Sequence, residues 1–363
     1  MKPLDYKNRI EKIRRVLEEQ KIDVFLLPPS VNFGYLFKGF FGISERLICG
    51  VITLDEDLTL VAPHFEKERM QVSTIFDNII TWKEEENPYD ILRNVIDCKI
   101  SKIALEPTTT FEVYNKLTKI FPETNFVNGG KYLSEMRRIK SDAELERITN
   151  AANYTVEGIR KTIESLEEGT TEIDAMKAVQ ENMSELSGEI SWAVVQFDEH
   201  SALPHGNATK KKLKQNSVVL IDAGTSCDHY FADITVTTTF GKPSNEFLKI
   251  YSIVEESNNK ALETSCAGVP AENIDFVARE VIEKAGYGKY FTHRLGHGIG
   301  LEVHEEPYIV KGNKELLRRG NVHTDEPGIY LPDKFGIRIE DDVVLTEKGE
   351  RIVEFDRYFW EKS

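Results

Sequence analysis

An α/β domain followed by an α+β domain with a mainly antiparallel sheet is the fold class that the sequence predicts. Over the first 130 residues, amphipathic helical stretches alternate with short apolar strand-like runs. Ser141-Asp142-Ala143-Glu144 then forms a capping box ahead of a long periodic run. From residue 189 the texture turns to β-rich segments separated by turns and two helices. We therefore expect one domain over 1–130 and a second over 131–363, in keeping with about two domains for 363 residues.

In chain order, Ile10, Ile13 and Leu17 mark one face of a helix over 6–20, and DVFLL (23–27) follows as a short buried strand. LICGVITL (47–54) and LTLVA (58–62) predict a hairpin around Asp55-Glu56-Asp57. FEKERMQV (65–72), DILRNVID (90–97) and FEVYNKLTKIF (111–121) are helical, with strands NIITW (78–82) and KIALE (102–106) between them. Asn128-Gly129-Gly130 closes the domain. The long helix runs to about Leu166, and Thr171 caps the next one after a break at EEGTTEID (167–174). ISWAVVQF (190–197), SVVLIDAG (217–224) and YFADITVTTTF (230–240) are strands, and helices lie near 244–265 and 271–285. NVHTDEPGIYL (321–331) and GIRIEDDVVLT (336–346) are β-rich around a Pro-Asp-Lys turn.

Composition narrows the function classes. A net charge of −15 argues against nucleic acid and against an anionic membrane surface as partners. The 40% hydrophobic and 29% charged shares fit a globular protein with a sizeable core. Cys49, Cys98, Cys227 and Cys266 are scattered without a C-x-x-C pair, which points to a reduced compartment and inert thiols. The charged N-terminus lacks an apolar leader pattern, and no run approaches a membrane span, so a cytoplasmic location is expected.

The chemistry concentrates in a few segments. LGHGIGLEVHEEP (295–307) sets His297 and His304 seven residues apart among alternating glycines, which disfavours a helix and implies a close approach to the backbone. Alone, it leaves open whether the histidines are paired ligands, a base and its helper, or turn residues. Asp222 ends the apolar strand VVLID, and Asp233 lies eleven residues later in the returning strand. Glu326 and Glu340 repeat the arrangement in the last two β-rich segments. An acid in an apolar strand is costly unless a cation or hydrogen bonds meet it. Four such carboxylates on one site call for metal: two divalent cations would neutralise them, and oxygen-rich ligation with one imidazole suits Mn²⁺, Co²⁺ or Fe²⁺, with Zn²⁺ admissible.

LIDAGTSCDHYFADIT, HRLGHGIGLEVHE, TDEPGIY and GIRIEDD closely resemble the pita-bread metallopeptidases that act on Xaa-Pro bonds, aminopeptidase P and prolidase. The resemblance covers nearly the whole chain. It implies a creatinase-like α/β N-terminal domain and a dinuclear pita-bread catalytic domain, and, by analogy with relatives, a homodimer. Carried onto this sequence, it makes Asp222 a ligand of one metal and Asp233 and Glu340 bridges between both. His297 and Glu326 complete the second site, with Glu326 also handling the proton of the attacking water. It places His205 of SALPHG at the substrate, His304 at the substrate carbonyl or tetrahedral intermediate, and Arg338 at the arginine of the R-x-E-D ending. The slim glycines would then border metals and substrate, and none of Glu302, Glu305 and Glu306 would be a ligand. His64, His200 and His323 are expected at the surface or in turns, while His229 and His293 lie near the site without a role.

The implied activity is hydrolysis of the N-terminal Xaa-Pro bond of proline-containing peptides, a tertiary amide with no N–H that general peptidases fit poorly. Departures from the family pattern occur at His229, Val236, Leu295 and Asp325, and at Tyr308, where dipeptide-specific members tend to carry an arginine. The last departure favours an aminopeptidase over a prolidase. Methionine aminopeptidase fits less well because of the N-terminal domain and the LPHG and R-x-E-D contexts. Creatinase needs no metal ligands, and non-catalytic binding relatives typically lose them, whereas all five positions are present here.

Overall fold

The computed structural model describes residues 1–55, 57–96 and 100–359. The chain divides into two compact units, Pro3–Met136 and Arg137–Ser363 with Met1–Lys2. Asp97, Cys98 and Lys99, the hairpin residue Glu56 and the last four residues lie outside the described part.

The N-terminal unit is a six-stranded mixed sheet with helices. Its elements are α1 (Tyr6–Gln20), β1 (Val24–Leu27), α2 (Val31–Phe37), β2 (Cys49–Thr53), β3 (Thr59–Pro63), α3 (Lys67–Ser73), β4 (Asn78–Trp82), α4 (Pro88–Val95), β5 (Lys102–Leu105), α5 (Phe111–Ile120) and β6 (Asn125–Asn128). The strand order is β4-β3-β2-β1-β5-β6, antiparallel only across the β1–β2 and β2–β3 pairs. Val24, Leu26, Val51, Val61, Ile103 and Leu117 fill one core. Sequence periodicity misses α2, whose VNFGYLF composition is poor for a helix. Burial from Asn32 through Phe37 and the Ser30 cap override that propensity. It also misses β6, a short half-polar edge strand, and α6 (Gly130–Arg138), within which the chain passes to the second unit.

In the second unit, α7 (Asp142–Ser165) opens on the predicted capping box: the Ser141 N–H donates to Glu144 Oε2 at 2.8 Å, and Glu144 N–H donates back to Ser141 Oγ. Thr171 caps α8 (Glu172–Ser187). The strands are β7 (Trp192–Phe197), β8 (Val218–Gly224), β9 (Ser226–Cys227), β10 (Tyr230–Phe231) and β11 (Ile234–Thr239). After helices α9 (Asn245–Thr264) and α10 (Ala271–Lys284) come β12 (Gly296–Gly298), β13 (Glu305–Ile309), β14 (Val322–Asp325), β15 (Gly328–Leu331), β16 (Phe335–Arg338), β17 (Asp341–Leu345) and β18 (Gly349–Arg351). Sheets β11-β8-β7 and β13-β12-β14-β17-β18 and the β15–β16 hairpin are antiparallel throughout. Helices α9 and α10 bury Ile250, Val254, Ile274 and Ala278 against Leu295, Ile329 and Ile337.

The predicted strand 230–240 and the two β-rich segments 321–331 and 336–346 are each broken beside an acid. Asp233 falls between β10 and β11, Glu326 between β14 and β15, and Glu340 between β16 and β17. The β14–β17 register ends at Asp325↔Asp341 and resumes unshifted at Gly328↔Arg338, so Glu326 and Glu340 face each other across the gap. The ladder opens there because each acid's N–H donates elsewhere: Glu326 to the Leu295 carbonyl at 2.9 Å, Glu340 to the Thr235 carbonyl at 3.2 Å. Pro327 adds no donor.

The glycines of LGHGIG make room for neighbouring backbone. A Cβ on Gly296 would lie 1.9 Å from the Thr324 carbonyl oxygen, and one on Gly298 2.3 Å from that of Glu306. What approaches the backbone is the pair of flanking strands, which squeeze β12 between them. Gly296→Ala is therefore expected to lower the free energy of unfolding by about 3 kcal/mol, the upper end of overpacking costs, because a backbone oxygen cannot rotate away. Denaturant unfolding checks this, and an unchanged midpoint would mean that β12 can slide away from β14.

Candidate active site

Strand pairing assembles the site. Asp222 on β8 is the register partner of Thr235 on β11, and Thr235 in turn bridges to Glu340, so three strands bring these residues side by side. Asp233 lies one residue before β11, opposite Gly224, on the same face as Asp222. β12 delivers His297. Ligand atoms of Asp233, His297 and Glu340 lie within 4.8 Å of one another. His297 Nε2 is 3.5 Å from Glu326 Oε1 and 3.9 Å from Asp233 Oδ2. Asp222 opens into the same cleft, with Oδ2 held by Arg338 Nη2 at 2.5 Å.

The imidazole is prepared for ligation. Burial, then the neighbouring His304, pushes the His297 pKa down to about 3, so the ring is neutral. Nδ1 faces the Gly298 carbonyl at 3.1 Å. An N–H there leaves the Nε2 lone pair pointing at the carboxylates.

The carboxylates are the opposite case. Burial first, then mutual repulsion, raises Asp233 and Glu340 well above the usual carboxylate range, and burial lifts Glu326 to about 8. Asp222 Oδ1 and Asp233 Oδ1 are buried with no hydrogen-bond partner among the described residues. Hard oxygens, one neutral nitrogen, excess negative charge and orphaned acceptors together fit a divalent cation.

The cleft, about 560 Å³ and open to solvent, is lined by Asp222, Asp233, His297, Glu326, Glu340, His205, His304 and Arg338, the residues that the resemblance assigns to the site. His304 is exposed at its rim, its ring centroid 4.2 Å from that of His297. His205 lies in the segment after the turn Asp198–Ala202, which buried Glu172 ties down. Glu172 accepts from Phe197 N (2.8 Å), Thr209 N (2.8 Å) and Thr209 Oγ1 (2.6 Å), and meets His200 Nδ1 at 2.9 Å. Arg338, 3% exposed, braces the site from behind: Nε donates to Thr235 Oγ1 at 3.0 Å and Nη1 to Tyr330 OH at 3.0 Å. Tyr330 OH in turn meets His293 Nε2 at 2.7 Å, and His293 Nδ1 is 3.8 Å from Glu326 Oε2.

Sequence reasoning missed Glu172, Thr235 and Tyr330 and left His293 without a role. The signal for Thr235 was its register with Asp222. For Tyr330 and Glu172 no local pattern existed. His323 overturns the expectation of a surface or turn residue. It is fully buried in β14, its pKa pushed to about 4 by burial, with Nδ1 on the Thr324 carbonyl and Nε2 3.3 Å from Ser265 Oγ. His200 is a turn residue but is bound to Glu172, and His64 is exposed. Glu302 and Glu305 pair with Arg137, Glu305 also with Lys140 at 2.6 Å, and Glu306 pairs with Arg138. Asp325 is fully buried with neither carboxylate oxygen hydrogen-bonded among the described residues. Burial and Asp341 raise its pKa well above the usual range, favouring the neutral acid form. Cys49, Cys227 and Cys266 are free thiols, and Cys98 lies outside the described residues.

This is the fold and donor set of a metallohydrolase with a creatinase-type N-terminal domain and a pita-bread second domain. Residues 146–347 match Metallopeptidase family M24, and residues 9–139 match the Creatinase/Prolidase N-terminal domain. The chain belongs to the M24 metallopeptidases and is an enzyme. An uncharacterized peptidase from Staphylococcus haemolyticus is 37% identical over 350 residues, covering 95% of this chain and 98% of the relative. A prolidase structure from Thermococcus sibiricus has a TM-score of 0.91 at 35% identity, covering 98% of this chain and 99% of that one. An X-Pro aminopeptidase structure from Thermotoga maritima has a TM-score of 0.85 at 32% identity, covering 94% and 98%. Among the described residues, no helix is long and apolar enough to cross a membrane.

The raised acids imply a pH dependence for the metal-free protein. Glu326 ionises near 4.5 when unfolded and near 8 when folded, so the folded state binds more protons between those values. Its contribution to stability is therefore lost as pH rises through that window. Buried His293, His297 and His323 act in the opposite sense, but only below their ordinary value of 6.5. Between pH 6.5 and 8 the melting temperature in chelator is expected to fall, and the gain on adding a divalent cation to grow. A chelated protein whose melting temperature climbs across that interval would contradict the raised acids.

Proposed function

We propose that the chain is an Xaa-Pro exopeptidase that hydrolyses the bond between an N-terminal residue and proline. The observation that carries the reading is the convergence of Asp222, Asp233, His297, Glu326 and Glu340 on one open cleft flanked by His205 and His304. Those five residues would hold two divalent cations, which when bound lower the pKa of a water and polarise the scissile carbonyl. Glu326, whose Oε1 lies 3.5 Å from His297 Nε2, would take a proton from the attacking water and return it to the leaving proline nitrogen. His205 and His304, neither of them in the buried cluster, are the donors for the developing oxyanion. Proline needs a shaped apolar surface because its amide has no N–H, and Trp192 and Val194 of β7 line the cleft.

Similarity to both a prolidase and an X-Pro aminopeptidase, at 35% and 32% identity, supports the bond that they share rather than a substrate length. The lack of an arginine at position 308 favours longer peptides. Arg294, whose guanidinium carbon is 4.6 Å from the centroid of the Tyr308 ring, weighs toward dipeptides.

Metal-stripped protein reloaded with Mn²⁺ or Co²⁺ is expected to cleave an Xaa-Pro dipeptide or an Xaa-Pro-Xaa tripeptide and to leave Met-Ala peptides intact. Cleavage of neither proline substrate would sink the reading. Glu326→Gln is expected to lower kcat by roughly 10²- to 10⁴-fold, the range for loss of a positioned base, and near-normal turnover would remove Glu326 from the proton path.

A further inference from the structure

Arg294 differs from the other arginines of its unit. Arg137, Arg138, Arg147, Arg279, Arg338, Arg351 and Arg357 each meet a carboxylate. Arg294 is half-buried and lines the catalytic cleft. Among the described residues its guanidinium makes no hydrogen bond and no ion pair. Its face lies on the Tyr308 ring, with 4.6 Å from guanidinium carbon to ring centroid. Stacking of this kind uses the face of the plane and leaves the edge N–H groups free for a planar acceptor.

The backbone beneath it is held firmly. The Asp275–Arg279 pair of α10 reaches up to it: Arg279 Nη2 donates to the His293 carbonyl at 3.0 Å, and Asp275 Oδ1 accepts the Leu295 N–H at 3.1 Å. Arg294 lines the same cleft as His297, His304 and Glu326. An edge-free guanidinium on a rigid support beside a catalytic centre is built to receive a carboxylate in two parallel hydrogen bonds.

We propose that Arg294, carried on Tyr308, is the specificity residue that reads a carboxylate of the substrate. This rests on the Xaa-Pro reading above. Two parts of a substrate can supply that group: the C-terminal carboxylate of an Xaa-Pro dipeptide, or an acidic side chain on the residue before proline.

The test compares metal-loaded wild type, Arg294→Met, which keeps an aliphatic stem against Tyr308, and Arg294→Lys, on Ala-Pro, Ala-Pro-NH₂ and Asp-Pro-NH₂. Loss of a hydrogen bond to a charged group is expected to raise KM roughly 10- to 100-fold more for the carboxylate substrate than for Ala-Pro-NH₂. The change should sit in KM rather than kcat, since the contact is made equally in ground and transition states. Lysine should restore part of the loss, because it keeps the charge without the fork. A selective loss on Ala-Pro assigns the C-terminal carboxylate and a selective loss on Asp-Pro-NH₂ the acidic side chain, and either supports the proposal. Equal KM changes on all three substrates, in both variants, would overturn the role of Arg294 while leaving the Xaa-Pro reading standing. A wild type inactive on all three would overturn both.

Discussion

Repulsion among Asp222, Asp233, Glu326 and Glu340 is the constraint around which the second unit is organised. Burial first, and then their mutual repulsion, makes Asp233, Glu326 and Glu340 bind protons more tightly than free acids do. The chain supplies only part of that counter-charge. Arg338 neutralises one oxygen of Asp222, and Thr235 donates to Glu340 at 2.5 Å. The remaining lone pairs, with the deprotonated Nε2 of His297, fit a divalent cation, and without one the acids hold protons instead. Stability without metal and readiness for metal are thus opposed, as expected where function is stored as unfavourable electrostatics.

The strands bend to that constraint. The β14–β15 and β16–β17 runs keep one register for their whole length, yet the ladder parts at Glu326 and Glu340. The backbone N–H groups there attach to the Leu295 and Thr235 carbonyls, so one hairpin is stitched to both β12 and β11 at the point where the acids are needed. Close packing enforces the geometry, since no side chain larger than hydrogen fits at Gly296. Behind the acids, the path Arg338–Tyr330–His293 links the Asp222 side of the cleft to Glu326 through hydrogen bonds of 2.5 to 3.0 Å and a 3.8 Å approach.

Much of this was legible in the residue order. Apolar strands interrupted by single acids, with Gly-His-Gly between them, announced a buried charged site, and the motifs around Asp222, His297, Glu326 and Arg338 carried the family resemblance. Helices with strong caps, α7 behind Ser141 and α8 behind Thr171, were legible because capping is a local interaction. Helix α2 was not, because its stability comes from burial on every side. The breaks at Asp233, Glu326 and Glu340 were hidden for a related reason: the sequence shows strand-forming side chains, but not which carbonyl each N–H will find.

Residue types and their spacing alone determined the fold class, the acid and imidazole inventory and the chemistry that such an inventory permits. Those follow from period, charge and desolvation, which act along the chain. Only the tertiary structure decided that Arg338 braces Asp222, that Glu172 pins the segment bearing His205, that His323 is a core residue, and that Arg294 lies over Tyr308 without an acid of its own. Each of those contacts joins residues whose separation in sequence follows no helical or strand period, so it exists only once packing has chosen which surfaces meet.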